Sequence, residues 1–234
     1  MINSESVNYP VIAIIPARGG SKGVKNKNLR KVGQCSLLER AIKSASNVES
    51  INIIIVTTDS VTIADEAKGL GAEVIFRPSH LADDNSRTID AVIHTLDIKT
   101  ISQGVCVLLQ PTSPFRTSHH VEVALEKFYD TQANSLVSVS EASDHPFKML
   151  VIEPDNIISP VRSWSDLESP RQALPKIVKP NGAIYVNKIE DLHKYRSFFT
   201  QPMSYLMMDA ESSLDIDTEY DLKQANLVEE GNYE

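Results

Sequence analysis

The stretch VIAIIPARGGSKGVKNKN, from Val11 to Asn28, joins an apolar run to a basic, glycine-rich turn. The run Val11–Pro16 is too short for an independent helix and rich in branched side chains, which predicts a buried strand. Gly19, Gly20 and Gly23 follow it and allow the backbone to approach a ligand closely. A turn of this kind after a strand directs N–H groups at phosphate oxygens.

Positive charge gathers in the same turn. Arg18, Lys22 and Lys27 lie there, and no carboxylate occurs from residue 6 to residue 38. The spacing matches neither G-x-x-x-x-G-K-[ST] nor G-x-G-x-x-G, so neither familiar phosphate motif applies. Two interpretations stay open at this point: a polyphosphate-binding turn, or a solvated basic turn after an edge strand.

Composition narrows the class of protein. The chain has 234 residues, a hydrophobic fraction of 41% and a net charge of −8. These values favour one α/β domain with an insertion and argue against disorder and against a nucleic-acid or anionic-membrane partner. Two distant cysteines imply neither a disulfide framework nor a zinc site. With no signal peptide in the first ten residues and no long apolar run, a cytoplasmic protein is expected.

Strands and helices alternate after the basic turn. Further strands are predicted at residues 51–57, 73–76, 105–109 and 135–139, each apolar on both faces and separated by helical patterns. This order predicts a mostly parallel sheet flanked by helices. Because ligands bind at the carboxyl ends of such strands, the exits at Arg18, Asp59, Arg77 and Gln110 should converge on one crevice.

The pattern changes near residue 146. Six prolines and the single tryptophan, Trp164, fall within residues 146–180, where apolar residues come singly. We therefore divide the chain into an α/β domain, residues 1–145 and 181–234, and an extended arm or hairpin, residues 146–180. Without a core of its own, the arm would pack on a second subunit. The alternative is a long surface loop.

Asp215 and Asp217 stand two residues apart around the apolar Ile216. In an extended strand, this spacing points both carboxylates to one face. Two adjacent carboxylates suit Mg²⁺, which binds through one or two of them together with substrate phosphates. The alternative is that one aspartate caps the last helix while the other is solvated.

Six segments in order resemble the acylneuraminate cytidylyltransferases, also called CMP-sialic acid synthetases, of the short bacterial type. They are ARGGSKGVKNKN (17–28), TTDS (57–60), RPSHLADDNSRT (77–88), LLQPTSPFRT (108–117), SPRQALPKIVKPNGAIYVN (169–187) and SLDIDTEYDL (213–222). The resemblance implies a Rossmann-like nucleotidyltransferase fold and a homodimer formed through the arm. It also implies Mg²⁺-dependent transfer of CMP from CTP to a nine-carbon 2-keto acid sugar, with Mn²⁺ as an alternative cation.

The resemblance also implies residue roles. The catalytic set is Arg18, Lys22, Lys27, Asp215 and Asp217, the two aspartates being the metal ligands. CTP would be bound by Arg18, Ser21, Lys22, Lys27, Asn28, Arg77, Asn85, Ser86 and Thr88. The sugar would be bound by Gln110, Lys148, Arg171, Lys179, Tyr185, Phe198 and Phe199. Lys179 departs from the arginine expected there, which removes a bidentate fork for a carboxylate.

The acceptor is less constrained than the donor. N-acetylneuraminic acid is the first expectation, and legionaminic, pseudaminic or 3-deoxy-octulosonic acid are the alternatives within the same reaction. A non-catalytic nucleotide or sugar sensor on this fold is the alternative from another class. Retention of both Asp215 and Asp217 argues against a sensor, because a sensor needs no metal pair.

Overall fold

The computed structural model describes residues 9–21 and 23–231. Strands and α-helices alternate through most of these ranges. The strands are β1 Val11–Pro16, β2 Lys31–Val32, β3 Cys35–Ser36, β4 Ile53–Thr58, β5 Glu73–Phe76, β6 Val105–Leu109, β7 Ser135–Glu141, β8 Leu150–Ile152, β9 Ile158–Pro160, β10 Val178–Lys188 and β11 Met203–Met207. The helices are α1 Leu37–Ser46, α2 Val61–Gly69, α3 Thr88–Ile98, α4 Ser118–Asp130, α5 Trp164–Glu168, α6 Ile189–Tyr195 and α7 Glu219–Glu229.

One seven-stranded sheet, in the order β11-β7-β10-β6-β1-β4-β5, forms the centre of the protein. Parallel pairing joins β1 to β4 and β6, β4 to β5, and β7 to β11. Among the described strands of this sheet, β10 alone runs antiparallel to its neighbours β6 and β7. The mostly parallel α/β fold predicted from the sequence is confirmed, and the reversed β10 is an addition to it.

Apolar side chains alternate between the two faces of β1. Ala13 and Ile15 pack in one core cluster, with residues of α1, α2 and α4. Ile12 and Ile14 pack in the other, with residues of α3 and α6. Because both faces are covered, the strand is apolar throughout rather than alternating with polar residues. The sheet thereby fixes the direction in which the basic turn leaves β1.

A third, smaller cluster ties two functional loops together. Val24 of the basic turn and Ile216 of the aspartate loop are fully buried in it, beside Leu222 and Ala225 of α7. Burial of an isoleucine side chain contributes roughly 1.5–3 kcal/mol. Packing of Ile216 therefore holds the aspartates on both sides of it close to the basic turn.

The arm, residues 146–180, contains more structure than its sequence suggests. β8 and β9 pair as an antiparallel hairpin, and the five-residue helix α5 follows. Lys148 Nζ donates to the carbonyl of Leu167 at 2.6 Å and to the carbonyl of Ser169, which holds the hairpin base against the end of α5. From Val178 onward the chain has joined the sheet, where it pairs with β7.

Within the described ranges, none of the helices combines the length and apolar character needed to cross a membrane.

Candidate active site

Loops at the carboxyl ends of β1, β5 and β6 surround a crevice of about 420 Å³, together with the loop before α7. Three of the four strand exits expected to converge, at Arg18, Arg77 and Gln110, line this crevice. The fourth, Asp59 after β4, does not line it and instead accepts a hydrogen bond from the basic turn. Residues named from the sequence form much of the wall: Arg18, Ser21, Lys27, Asn28, Arg77, Ser86, Thr88, Gln110, Asp215 and Asp217. Lys22 lies outside the described residues. Asn85 is absent from the wall, and its backbone N–H donates to Asp83 Oδ1 at 2.9 Å in the neighbouring loop.

The basic turn is held in place by hydrogen bonds rather than left to solvent. The Gly19 N–H donates to Asp59 Oδ1 at 2.8 Å, which ties the turn to the end of β4. The buried Asn28 donates through Nδ2 to the carbonyl of Arg18 at 2.9 Å. Arg18 Nη1 lies 2.9 Å from Asp84 Oδ1, across the crevice. The turn is therefore preorganised, as an anion site requires.

Gly23 permits a very close approach between the basic turn and the aspartate loop. A Cβ placed on Gly23 would lie 2.1 Å from the backbone oxygen of Asp217. From the same turn, Lys27 Nζ donates to the carbonyl of Ile216 at 2.7 Å and to Asp217 Oδ1 at 2.9 Å. A glycine and a lysine thus join loops that are almost two hundred residues apart in the sequence.

The aspartate pair is carried by an irregular segment between the last strand and α7. The Ile216 N–H donates to the carbonyl of Thr112 at 2.9 Å, and its side chain is fully buried. Because Ile216 points into the core, Asp215 and Asp217 both line the crevice. Packing of the middle residue, not strand pairing, thus brings both aspartates to the same crevice.

The electrostatic setting of Asp215 is unusual. Its side chain reaches solvent, but the walls of the crevice limit hydration and raise the pKa of its carboxyl. The negative charge of Asp217 raises this pKa further, whereas a hydrogen bond from Thr112 and the charge of Lys27 lower it. Thr112 was not identified from the sequence, since a threonine in a loop carries no spacing signal.

These two carboxylates fit a divalent cation. Limited hydration is the main cause of the raised pKa of Asp215, and repulsion by Asp217 adds to it. A bound cation would relieve this repulsion. Within the part of the chain that the structure describes, no group of three or more histidine, cysteine or acidic side chains is arranged for a metal. Further ligands would then come from substrate and water, which is how Mg²⁺ binds at phosphate-transfer sites.

Arg77 lies buried in the crevice wall at the end of β5. Burial lowers the pKa of its guanidinium, Arg18 lowers it slightly further, and the charge of Asp59 opposes both effects. Its Nε atom is buried and has no hydrogen-bond partner among the described residues. An orphaned buried donor of this kind is costly, and a ligand with oxygen acceptors would satisfy it.

A second compartment of about 420 Å³ adjoins the crevice. Arg87, Thr88 and Gln110 line both compartments. The remaining wall is mainly aromatic and apolar: Ile89, Leu108, Tyr185, Arg196, Ser197, Phe198 and Phe199.

The aromatic side chains of this compartment are packed together. The ring centroids of Tyr185 and Phe198 are 5.4 Å apart, and those of Tyr185 and Phe199 are 6.0 Å apart. Burial raises the pKa of the Tyr185 hydroxyl, and the nearby Asp215 adds to this rise. Tyr185 therefore stays protonated at neutral pH, and the three rings together form an apolar surface.

Arg116 supports the join between the two compartments and was not identified from the sequence. It is buried, and burial lowers the pKa of its guanidinium to about 9, so it remains charged at neutral pH. Its Nη1 donates to the carbonyls of Gln110 at 2.7 Å and Ala183 at 2.9 Å, and its Nε donates to Ser44 Oγ at 3.1 Å. An arginine in a loop is usually expected at the surface, so the sequence alone does not predict that Arg116 is buried and supports these carbonyls.

The basic residues of the arm lie elsewhere. Lys148, Arg171 and Lys179 line neither the crevice nor the second compartment of their own chain. Lys148 is engaged with carbonyls of the arm, while Arg171 and Lys179 are exposed.

The model of the cytidylyltransferase family matches residues 12–233. An N-acylneuraminate cytidylyltransferase of Escherichia coli is 37% identical over 94% of this chain, but the chain spans only 52% of that protein. A CMP-N,N′-diacetyllegionaminic acid synthase of Legionella pneumophila is 35% identical, and the match covers 96% of this chain and 98% of the relative.

A solved structure supports the fold. CMP:2-keto-3-deoxy-manno-octonic acid synthetase, complexed with CTP, superposes with a TM-score of 0.72 over 96% of this chain and 100% of the other. The two sequences are 17% identical, so this likeness concerns the fold alone. The family match over nearly the whole described chain decides the assignment. The chain belongs to the cytidylyltransferase family and is a nucleotidyltransferase enzyme.

Proposed function

We propose that this enzyme transfers CMP from CTP to the anomeric hydroxyl of N-acetylneuraminic acid, giving CMP-sialic acid and pyrophosphate. The observation that carries the proposal is the pair of adjoining compartments that share Gln110 and Thr88. Cationic and carboxylate side chains line the first, and aromatic rings line the second. The name of the Escherichia coli relative supports this choice of substrates.

The first compartment suits the nucleotide. In the proposed arrangement Arg18 and Lys27, with Lys22, stabilise the triphosphate and the departing pyrophosphate, and Arg77, Asn28 and Ser86 bind the nucleoside. Charge neutralisation and positioning supply most of the catalysis expected for such a transfer.

The reaction is a single displacement. The anomeric hydroxyl attacks the α-phosphorus in line, the bond to pyrophosphate breaks, and the hydroxyl proton passes to solvent. Asp215 and Asp217 would hold Mg²⁺, or Mn²⁺ as an alternative. The cation would lower the pKa of the attacking hydroxyl and neutralise phosphate charge. Lys27 forms an ion pair with Asp217 and would lie beside the departing pyrophosphate.

The second compartment suits the acceptor. Gln110 lies at the junction of the two compartments, where the reacting end of the sugar must reach the α-phosphorus. Tyr185, Phe198 and Phe199 then face the acyl substituent. A legionaminic acid acceptor is the second candidate, because the Legionella relative named for its diacetylated form matches along 98% of its own length.

The arm supports a homodimer in this proposal. Its hairpin exposes branched side chains on both strands, with Ile152 at 81% and Ile158 at 50% of full exposure. An apolar surface of this kind marks an interaction site, and the simplest partner is a second copy. The arm would then bring Lys148, Arg171 and Lys179 to the acidic sugar in the other subunit. We place the protein in the cytoplasm, where CTP is made.

Pyrophosphate release from CTP tests the proposal. Release should require a divalent cation and a nine-carbon 2-keto acid, with N-acetylneuraminic acid preferred to legionaminic and pseudaminic acids. The Asp217→Asn variant should bind CTP and release no pyrophosphate. Normal cation-dependent release by this variant would overturn the metal assignment. If the enzyme preferred legionaminic acid, that acid would take the place of N-acetylneuraminic acid as the proposed acceptor. Equal pyrophosphate release without any acceptor would contradict transfer of CMP to a sugar.

A further inference from the structure

Arg196 lies in the wall of the second compartment. It lines the second compartment together with Phe198 and Phe199, and none of these three lines the crevice. An acceptor whose reacting hydroxyl lies near Gln110 can place another substituent against the wall formed by these three residues. Arg196 is therefore positioned to contact a substituent of the acceptor, not the reacting centre.

Two contacts fix the position of Arg196. Its Nη2 donates to Asp90 Oδ1 at 2.7 Å, and its carbonyl accepts from Nη2 of Arg87 at 2.8 Å. Asp90 belongs to the first turn of α3, so the guanidinium is anchored to a rigid element. Within the described residues, Nε and Nη1 of Arg196 have no hydrogen-bond partner, which leaves donors for a ligand.

The backbone of Arg196 adds an independent observation. It occupies the C-cap position of α6 with φ 49° and ψ 44°, the left-handed region. Glycine is favoured in this conformation, and a residue with a side chain is strained there. An arginine in this strained conformation, in the wall of a compartment, points to a role for its side chain.

The neighbouring rings define what that use is. Tyr185, Phe198 and Phe199 form an apolar surface that suits a methyl group, and a guanidinium beside it suits an oxygen acceptor. An N-acyl group presents both features, because its carbonyl is one bond from its methyl. A hydroxyl in the same place would offer no methyl to the rings.

Building on the proposed function, we infer that Arg196, anchored by Asp90, hydrogen-bonds the carbonyl oxygen of the acceptor's N-acyl group. It is a specificity-determining residue that selects N-acylated sugar acids over analogues with a hydroxyl at that position. The aromatic rings accept the methyl, and Arg196 adds the polar half of the recognition.

Steady-state kinetics with two acceptors test this inference. N-acetylneuraminic acid is compared with its deaminated analogue, in which a hydroxyl replaces the acetamido group. The wild-type enzyme should prefer the acetamido acid. The Arg196→Gly variant removes the side chain and relieves the left-handed backbone, so it should fold. The ratio of kcat/KM for the acetamido acid to that for its analogue should fall roughly tenfold in this variant. The fall should come from a higher KM for the acetamido acid, and the KM of CTP should not change.

Matched variants separate recognition from folding. Thr100 also has a left-handed conformation, with φ 55°, just after α3 and outside both compartments. Thr100→Gly should keep the wild-type ratio between the two acceptors. Asp90→Asn, which loosens the anchor, should reduce the ratio by less than Arg196→Gly does.

The outcomes distinguish this inference from the function on which it rests. A wild-type enzyme that converts neither acid would overturn the proposed function and the inference with it. An active wild-type enzyme whose preference survives intact in Arg196→Gly would overturn the role of Arg196 and leave the proposed function standing. An equal loss with both acceptors would assign Arg196 to general support of the compartment, which also contradicts the inference.

Discussion

The ionised carboxyl of Asp215 is unfavourable in the folded protein. Restricted hydration and the charge of Asp217 raise its pKa above the ordinary value. A carboxyl with a raised folded-state pKa favours folding only at low pH, and this contribution is lost as the pH rises through that pKa. At pH 7 the charge therefore weakens the fold relative to a neutral side chain, a cost that a ligand-binding role would explain.

Asp215→Asn should consequently raise the melting temperature at pH 7 in EDTA while turnover is lost. Solvent screening at the partly exposed carboxyl keeps the gain small, about 1–2 °C in Tm. The gain should shrink as the pH falls through the raised pKa, because the wild-type carboxyl then becomes neutral. Differential scanning calorimetry across pH measures both effects.

Asp209 provides a control of opposite sign. Hydrogen bonds from the backbone N–H and the hydroxyl of Ser212 lower its pKa. Asp209→Asn should therefore lower the melting temperature at pH 7. A fall in Tm for both variants would contradict the assignment of an unfavourable charge to Asp215.

The contact between the basic turn and the aspartate loop requires glycine at position 23, because glycine has no Cβ. An alanine at Gly23 would force its Cβ against the backbone oxygen of Asp217, which lies 2.1 Å from that position. Backbone cannot yield as a flexible side chain can, so the aspartate loop would be displaced. A shift of about 1 Å in a catalytic group costs on the order of 100-fold in rate, and a loss of this size in kcat/KM is expected for Gly23→Ala.

Gly20→Ala, in the same turn, is the control for Gly23→Ala. It shows whether any added side chain in this turn lowers activity. A Cβ on Gly20 would meet nothing within 4 Å among the described residues. Gly20→Ala should therefore lose much less activity than Gly23→Ala, as measured by kcat/KM for CTP. Similar losses in the two variants would show that the close approach at Gly23 is unimportant.

How far the sequence predicts these elements depends on the range of the interactions. The strands of the central sheet, such as Val105–Leu109, were predictable because burial on both faces leaves an apolar run. The reversed direction of β10 was not, since strand direction depends on partners elsewhere in the chain. The aspartates were predictable as a pair, but their support by Ile216 and Thr112 joins distant residues and leaves no local pattern.

The same reasoning applies to the second compartment. Tyr185, Phe198 and Phe199 were predicted from the family resemblance. Such a resemblance identifies individual positions but does not show which residues are in contact. Arg196 and Asp90 are 106 residues apart and meet only because α3 and α6 pack on one face of the sheet. No spacing rule covers such a pair, so the structure was required to find it.

The assembled enzyme is expected to be a homodimer in which each arm completes the other subunit's site. Neither an Arg171→Ala variant nor an Asp215→Asn variant should turn over alone. Mixed dimers should regain activity, because one of their two sites receives an intact arm and an intact aspartate pair. Random mixing gives half mixed dimers with one working site each, so about a quarter of wild-type activity should return. Mixing after mild unfolding, followed by a pyrophosphate assay, measures this.

Two results would contradict the proposed role of the arm in the homodimer. Sedimentation that shows a fully active monomer would remove the homodimer. A purified mixed dimer without activity would keep the homodimer but place Arg171 in the site of its own subunit.

Phosphorus-31 NMR of the reaction tests the central claim most directly, because it shows which phosphorus atom is attacked. With CTP, Mg²⁺ and N-acetylneuraminic acid, the CTP signals should be replaced by pyrophosphate and a CMP phosphodiester in equal amounts. That result requires attack on the α-phosphorus with the bond between the β and γ phosphates intact. Appearance of CDP with a sugar phosphate, or of CMP without a sugar ester, would contradict cytidylyl transfer by this enzyme.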